Sequence, residues 1–220
     1  METSSPGALR WRALVGTLAL CALVVLGAVV RSAGVAQQEL GIDRILQLAR
    51  STTTTTIALA LTTTAQEAAG LAALVIGIIV LIVRRRRWDA TVLFCMAGAS
   101  WALALVAKAV VMRPRPPASV WLLRPDPTPG FPSGHTTTAL VIVLIAVMVF
   151  RGTRWMPAGV AVAVVYAVAV GASRLYLGDH YPTDILGSLL TVGAAALLVS
   201  AVLNLGVVHR AVPRILQAGA

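Results

Sequence analysis

Six long apolar runs constrain this chain more than any other feature. They cover residues 13–30, 57–83, 90–112, 133–150, 157–173 and 184–208. A helix needs about 20 mostly apolar residues to cross the hydrocarbon core of a bilayer. The runs are continuous and lack the alternation of a membrane barrel strand, so helices are the expected spanning form. The expected fold is all-α: a polytopic membrane protein with six transmembrane helices in one bundle. Composition agrees. The chain is 58% apolar and 12% charged, against about 25% charged in soluble domains.

The net charge of +10 raises the question of nucleic acid. Position answers it. Arg10 and Arg12 precede the first run, residues 84–87 follow the second, Arg151 and Arg154 the fourth, and Arg210 and Arg214 the sixth. If six spans alternate, these ten cations share one side, which the positive-inside rule makes cytoplasmic. Trp11, Trp88 and Trp155 sit beside them as expected interfacial anchors. Both termini are then cytoplasmic, with the N-terminus at residues 1–12 and a tail at 209–220. A signal peptide is the alternative for the first run, with Gly34-Val35-Ala36 as cleavage site. Its length of 18 residues and the adjacent Arg31 favour an uncleaved span.

Residues 34–56 form an expected outer amphipathic segment. Ile42, Ile45, Leu46 and Ala49 share one helical face, with Glu39, Asp43, Gln47 and Arg50 elsewhere. The threonine run that ends it reads as plain helix, its hydroxyls bonding within the helix. The second long run is expected as one helix whose polar start, Thr62–Thr64 with Gln66 and Glu67, lies at the interface. Cys21 and Cys95 fall at different depths, so no bridge is expected.

Three polar clusters converge on the outer face. Lys108 lies inside an apolar run, where a charge costs roughly 2.5–3.5 kcal/mol on insertion scales and usually serves function; snorkelling to headgroups is the alternative. Pro114 and Pro116 stop the third helix, so Arg115 can turn back toward Lys108. The loop to Pro132 holds seven prolines and carries Trp121, Leu122 and Leu123, which face lipid, cover a site or simply sit on the surface. It ends in Pro132-Ser133-Gly134-His135, a serine N-cap whose helix start presents unpaired N–H groups to an anion. Capping alone is the simpler reading of Ser133. The third cluster is Ser173-Arg174, then His180 and Asp184. Asp184 can take the Nδ1 proton of His180 and leave Nε2 as nucleophile or base; simple helix capping is again the alternative. Asp179 reads as solvated and His209 as incidental.

No acidic cluster suits Mg²⁺ or Ca²⁺, and two histidines without a third ligand make a poor zinc site. Cations with helix N–H groups suit a phosphoryl group. No metal and no cofactor is expected.

Lys108…Arg115-Pro116, Pro132-Ser133-Gly134-His135 and Ser173-Arg174…His180…Asp184 resemble the three signature motifs of the type 2 phosphatidic acid phosphatase superfamily, which also includes vanadium haloperoxidases. All eleven positions match in order and spacing. The resemblance implies that His180 is a nucleophile forming a phosphohistidine, that Asp184 orients it, and that His135 protonates the leaving oxygen and then activates water. It implies that Lys108, Arg115, Ser133, Gly134 and Arg174 bind the phosphate. Arg113 and Arg124 lie outside the motifs and are candidates for a second phosphate.

The expected function is metal-independent hydrolysis of a phosphate monoester or diphosphate on a membrane lipid at the outer face of the cell membrane. Polyprenyl (undecaprenyl-type) diphosphate is the favoured substrate. Phosphatidate, phosphatidylglycerophosphate and a lipid phosphotransferase reaction are alternatives, and a non-catalytic lipid transporter is the most distant one. The expected partners are the lipid substrate and the bilayer, not nucleic acid.

Overall fold

A computed structural model describes residues 5–205. The tail expected at 209–220, with His209, lies outside them. The described chain is helical throughout: α1 (Pro6–Val29), α2 (Ala33–Gln47), α3 (Thr52–Thr64), α4 (Glu67–Val83), α5 (Arg87–Val111), α6 (Gly134–Phe150), α7 (Met156–Tyr176) and α8 (Pro182–Leu203), with a 3-10 turn at Ala118–Val120. Helices α1, α5, α7 and α8 are long and apolar enough to cross a membrane. The bent pair α3 and α4 adds a fifth candidate, and α6 is apolar but only 17 residues long.

The bundle packs α1 and α5 on α8, α4 on α5 and α6, and α6 on α7. Its main core joins Leu74, Leu81, Leu93, Met96, Val141 and Met148. Close approach relies on small residues. A Cβ at Gly187 would lie 2.4 Å from the Phe131 ring, so α8 seats the loop that leads into α6.

Three expectations need correction. The second apolar run is two helices that meet at 56°. Gln66 is extended, with ψ of 156°, and Thr63 and Thr64 turn their hydroxyls onto the carbonyls of Leu59 and Leu61. Such back-bonding bends helices. Trp88 is buried at the base of the core rather than set at an interface, while Trp11 and Trp155 are exposed. The third correction concerns α2. Its apolar face does point away from the protein, with Ile42 and Ile45 exposed. Its polar ridge, however, faces the bundle instead of water: Glu39 and Asp43 are buried, and Gln47 donates to the carbonyls of Val120 (2.7 Å) and Tyr176 (3.1 Å).

The threonine run behaves partly as expected, with Thr56 bonding back to the Thr52 carbonyl. Thr54 and Thr55 do more, since both meet the Tyr176 hydroxyl, at 3.0 and 2.7 Å, and tie α3 to α7. At the opposite end of the bundle the cations cluster as charge positions suggested. Arg86 pairs with Asp89 at 2.7 Å, and Arg84 and Arg86 both donate to the Val149 carbonyl near the end of α6.

Candidate active site

Helix α5 carries Lys108 and ends at Val111, where Met112 takes a left-handed conformation (φ 50°) ahead of Pro114. The chain turns there, as the prolines require. Lys108 does not run free to the headgroup region. Its Nζ donates to the Pro129 carbonyl at 2.8 Å and so closes the proline-rich loop over the end of the helix. Arg115 is held by the same loop, with Nε on the Thr128 carbonyl (2.9 Å) and Nη2 on the Thr128 hydroxyl (3.0 Å).

The loop packs inward. Trp121 lies against Leu40, Val120 and Tyr181, and its Nε1 donates to the Pro116 carbonyl at 2.8 Å. Leu122 joins Ala58, Tyr176 and Leu177, and Leu123 is exposed. This stiff loop therefore covers the site rather than lying on its surface.

Ser133 caps α6. Its hydroxyl is buried and accepts from the Thr136 N–H at 3.4 Å and the Thr136 hydroxyl at 3.1 Å. Its carbonyl accepts from the Ser188 hydroxyl at 2.9 Å, so the helix start is pinned to α8. Gly134 and His135 remain partly exposed at that start. The fields of Arg174, Arg115 and Lys108 all reach His135.

Gly178 makes the turn that delivers His180. Its φ is +76°, and a Cβ there would fall 2.0 Å from the Val120 carbonyl oxygen. His180 is 1% exposed. Its Nδ1 lies 3.2 Å from Asp184 Oδ2, and its Nε2 lies 3.2 Å from Arg115 Nη1. A guanidinium only donates, so Nε2 must carry the lone pair and Nδ1 the proton. Burial pushes the imidazole down to about 3, and Arg115 and Arg174 add to the effect while Asp184 opposes it. His180 is therefore neutral near pH 7, the form a nitrogen nucleophile needs.

Asp184 combines both readings of its position. One oxygen, Oδ2, accepts the Tyr181 N–H at 2.9 Å at the start of α8 and also faces His180. The other, Oδ1, accepts from Arg113 at 2.6 Å. Arg174 is buried, donates to the Thr62 hydroxyl at 2.6 Å and pairs with Asp179. Asp179 is thus not solvated; it is fully buried, and it also lies 3.5 Å from Arg115.

The two outlying arginines part company. Arg124 is exposed and makes no hydrogen bond or ion pair among the described residues. Arg113 is buried between Asp184 and Glu39, which removes it as a free ligand for a second phosphate. Sequence reasoning missed Glu39 and Asp179 as members of the site. Asp179 adjoins His180 in the sequence, whereas Glu39 lies far from all three motifs.

Residues 88–206, more than half of the chain, match the PAP2 superfamily. The chain belongs to that superfamily. This PAP2 protein is 39% identical over 61 residues to undecaprenyl-diphosphatase BcrC of Bacillus subtilis (strain 168), covering 28% of each chain. It is 33% identical over 105 residues to phosphatidylglycerophosphatase B of the same organism, covering 46% of this chain and 51% of that one. The matched segments thus span about half or less of these relatives. The crystal structure of the first transmembrane PAP2 type phosphatidylglycerolphosphate phosphatase from Bacillus subtilis superposes with a TM-score of 0.75 at 25% identity, over 85% of this chain and 94% of that one. Aquifex aeolicus LpxE shares the fold, with a TM-score of 0.54 at 21% identity over 76% and 94% of the two chains.

Proposed function

We propose that this PAP2 protein removes phosphate from a membrane lipid without a metal, through a phosphohistidine on His180. One observation carries the reading: Lys108, Arg115, Arg174, His135 and the His180–Asp184 pair gather at one end of an apolar bundle, beside a cleft that leads toward lipid. That cleft, of about 270 Å³, is lined by Lys108 and Gly134 at one end and by Leu71, Trp101 and Leu105 beyond. Leu71 and Leu105 are exposed on the outside of the bundle. A phosphate held at Lys108 would leave its lipid chain in that cleft.

The arrangement supports the following chemistry. His180 Nε2 attacks phosphorus, and the bond from phosphorus to the lipid-side oxygen breaks. His135 gives that oxygen a proton. His135 then takes a proton from water, whose oxygen attacks phosphorus as the bond from phosphorus to His180 Nε2 breaks, which releases inorganic phosphate and restores neutral His180. Asp184 stabilises the positive imidazole in between. Lys108, Arg115 and Arg174, with the N–H groups at the start of α6, hold the phosphoryl oxygens. Arg115 moves from Nε2 of His180 to the phosphate as substrate enters. The reading includes six spans, with both termini cytoplasmic and the site extracytoplasmic.

Among lipid phosphates, polyprenyl diphosphate is the first reading. The BcrC relative supports it, as does a second cleft, of about 380 Å³, in which Arg31 lies with Arg115 beside the site. Phosphatidylglycerophosphate is the second reading, favoured by the structural match along most of the chain.

Phosphate release by purified protein in detergent tests both. Undecaprenyl diphosphate, phosphatidylglycerophosphate and phosphatidate are offered in turn, with and without EDTA. Turnover in EDTA that His180→Ala abolishes is expected. Turnover retained by His180→Ala removes the nucleophile assignment, and activity restored only by Mg²⁺ removes the metal-free chemistry.

A further inference from the structure

Behind the His180–Asp184 pair lies a second ion pair that the reaction scheme does not use. Arg113, on the loop after α5, is 1% exposed. Its Nη1 donates to Asp184 Oδ1 at 2.6 Å and to the Thr183 hydroxyl at 2.7 Å. Its Nη2 donates to Glu39 Oε2 at 2.5 Å. The guanidinium also stacks on the Tyr181 ring, 4.1 Å from the centroid. The other oxygen of Glu39 accepts the Thr183 N–H at 2.8 Å, one of the unpaired donors at the start of α8. Glu39 therefore reaches from α2 to both the arginine and the helix that carries Asp184.

We propose that Glu39 and Arg113 are positioning residues that set both the angle and the charge of Asp184. This rests on the phosphohistidine reading above. The angle is over-determined. Arg113 holds Oδ1, and the Tyr181 N–H with His180 Nδ1 holds Oδ2, so the carboxylate cannot rotate away from the imidazole.

The charge argument is separate. A guanidinium beside Asp184 alone would cancel its negative charge, leaving nothing to offset the imidazole when phosphorylation makes it positive. Glu39 shares that guanidinium. Arg113, Glu39 and Asp184 together carry a formal charge of −1, which offsets the +1 of the imidazolium ring in phosphorylated His180; the phosphoryl oxygens face Lys108, Arg115 and Arg174 instead. In a buried setting that balance acts at short range and low dielectric, where an uncompensated charge is costly. Arginine suits the place because its planar fork can serve two carboxylates at once, whereas a lysine is a point charge.

The polar ridge of α2 thereby acquires a purpose. A helix with an apolar outer face would ordinarily turn its carboxylates to water. Here Glu39 is turned inward and is the part of α2 that meets the site.

The test compares wild type, Glu39→Gln, Arg113→Lys and His180→Ala in detergent, with kcat, KM and thermal midpoint measured for each on the best substrate. Glutamine keeps one acceptor oxygen, for the Thr183 N–H, and loses the charge and the second acceptor that Arg113 Nη2 uses. The expected result is a fall in kcat of about tenfold or more for Glu39→Gln, with KM within about twofold, measured well below the variant's thermal midpoint, which the loss of a buried charge partner lowers; that is the pattern of an interaction realised only in the transition state. Arg113→Lys should lower kcat likewise. Wild-type kcat in Glu39→Gln overturns the proposal. So does a loss that appears only in KM, or one that disappears when the assay is run well below a lowered thermal midpoint. Turnover by His180→Ala would instead defeat the phosphohistidine reading, so the two failures are distinct.

Discussion

Asp179 is enclosed by Arg174 on one side and lies 3.5 Å from Arg115 on the other. Two of the three cations assigned to phosphate thus share one buried carboxylate. The pairing keeps two guanidinium groups close together without substrate, where they would otherwise repel. Removing one partner of a buried pair typically costs about 3–5 kcal/mol because the other charge is left uncompensated. Asp179→Ala should therefore lower the thermal midpoint of the detergent-solubilised protein and raise KM for the lipid phosphate. A variant with wild-type stability and wild-type KM would show that Asp179 does not hold the arginines in place.

His180 should resist protonation. Its ring faces Asp184 from α8, Arg115 from the loop and Arg174 from α7, and burial outweighs the carboxylate. The folded imidazole is held at about 3, against about 6.5 for a free side chain. Imidazole NMR, with His180 assigned from the His180→Ala spectrum, should show a neutral ring from pH 8 down to pH 5. Because the folded value is the lower one, His180 favours the folded state above pH 6.5, and that contribution declines as pH falls below it. A midpoint near 6.5 would contradict the burial argument.

The legibility of this site varied with the kind of residue. Lys108 and Arg174 stand out because a charge inside or at the end of an apolar run has few structural reasons to exist, and His180 and Asp184 because a carboxylate at a helix start can fix the tautomer of a nearby imidazole. The turn at Pro114 and the cap at Ser133 followed from local backbone chemistry and are present. What failed was the choice of partner. Periodicity identified two faces of α2 but did not say that the face bearing Glu39 and Asp43 packs on protein. Asp179, next to His180, looked like a loop carboxylate, since its partner Arg174 becomes a neighbour only when Gly178 reverses the chain. By its charge Arg113 reads as a phosphate ligand, and its partners come instead from two distant helices. Contacts of that kind leave no pattern in one sequence.

Asp43 gives the stability of the protein a pH dependence of its own. It sits one turn beyond Glu39, fully buried, with neither carboxylate oxygen hydrogen-bonded. Burial, then the charges of Glu39 and Asp184, raise it to about 7, while Arg113 opposes them. A carboxyl raised above its unfolded value of 3.8 favours the fold at low pH, and that advantage is lost as pH rises through about 7. Asp43→Asn removes the titration. The thermal midpoint of the variant relative to wild type should therefore climb between pH 5 and pH 8. A difference that stays flat across that range would mean Asp43 ionises normally in the folded protein.

Gly178 is the position where a single methyl group should do the most damage. The residue has φ +76°, which non-glycine residues rarely adopt, and a Cβ would meet the Val120 carbonyl oxygen at 2.0 Å. Neither partner can easily yield. The Val120 carbonyl is also the acceptor for Gln47 from α2, and the Leu122 N–H bonds to the Leu177 carbonyl one residue earlier. Gly178→Ala should thus push the proline-rich loop off the α7 end and displace His180, two residues on. Strain of this kind costs on the order of 1–3 kcal/mol. On the proposed mechanism turnover should fall by at least about tenfold, because a reacting group misplaced by about 1 Å can cost 10²-fold, and the thermal midpoint should drop with it. Ala at Gly98 on α5, where a Cβ would meet nothing within 4 Å, serves as the control and should leave turnover unchanged. Normal turnover in Gly178→Ala would show that the approach of the loop to the α7 end does not place His180.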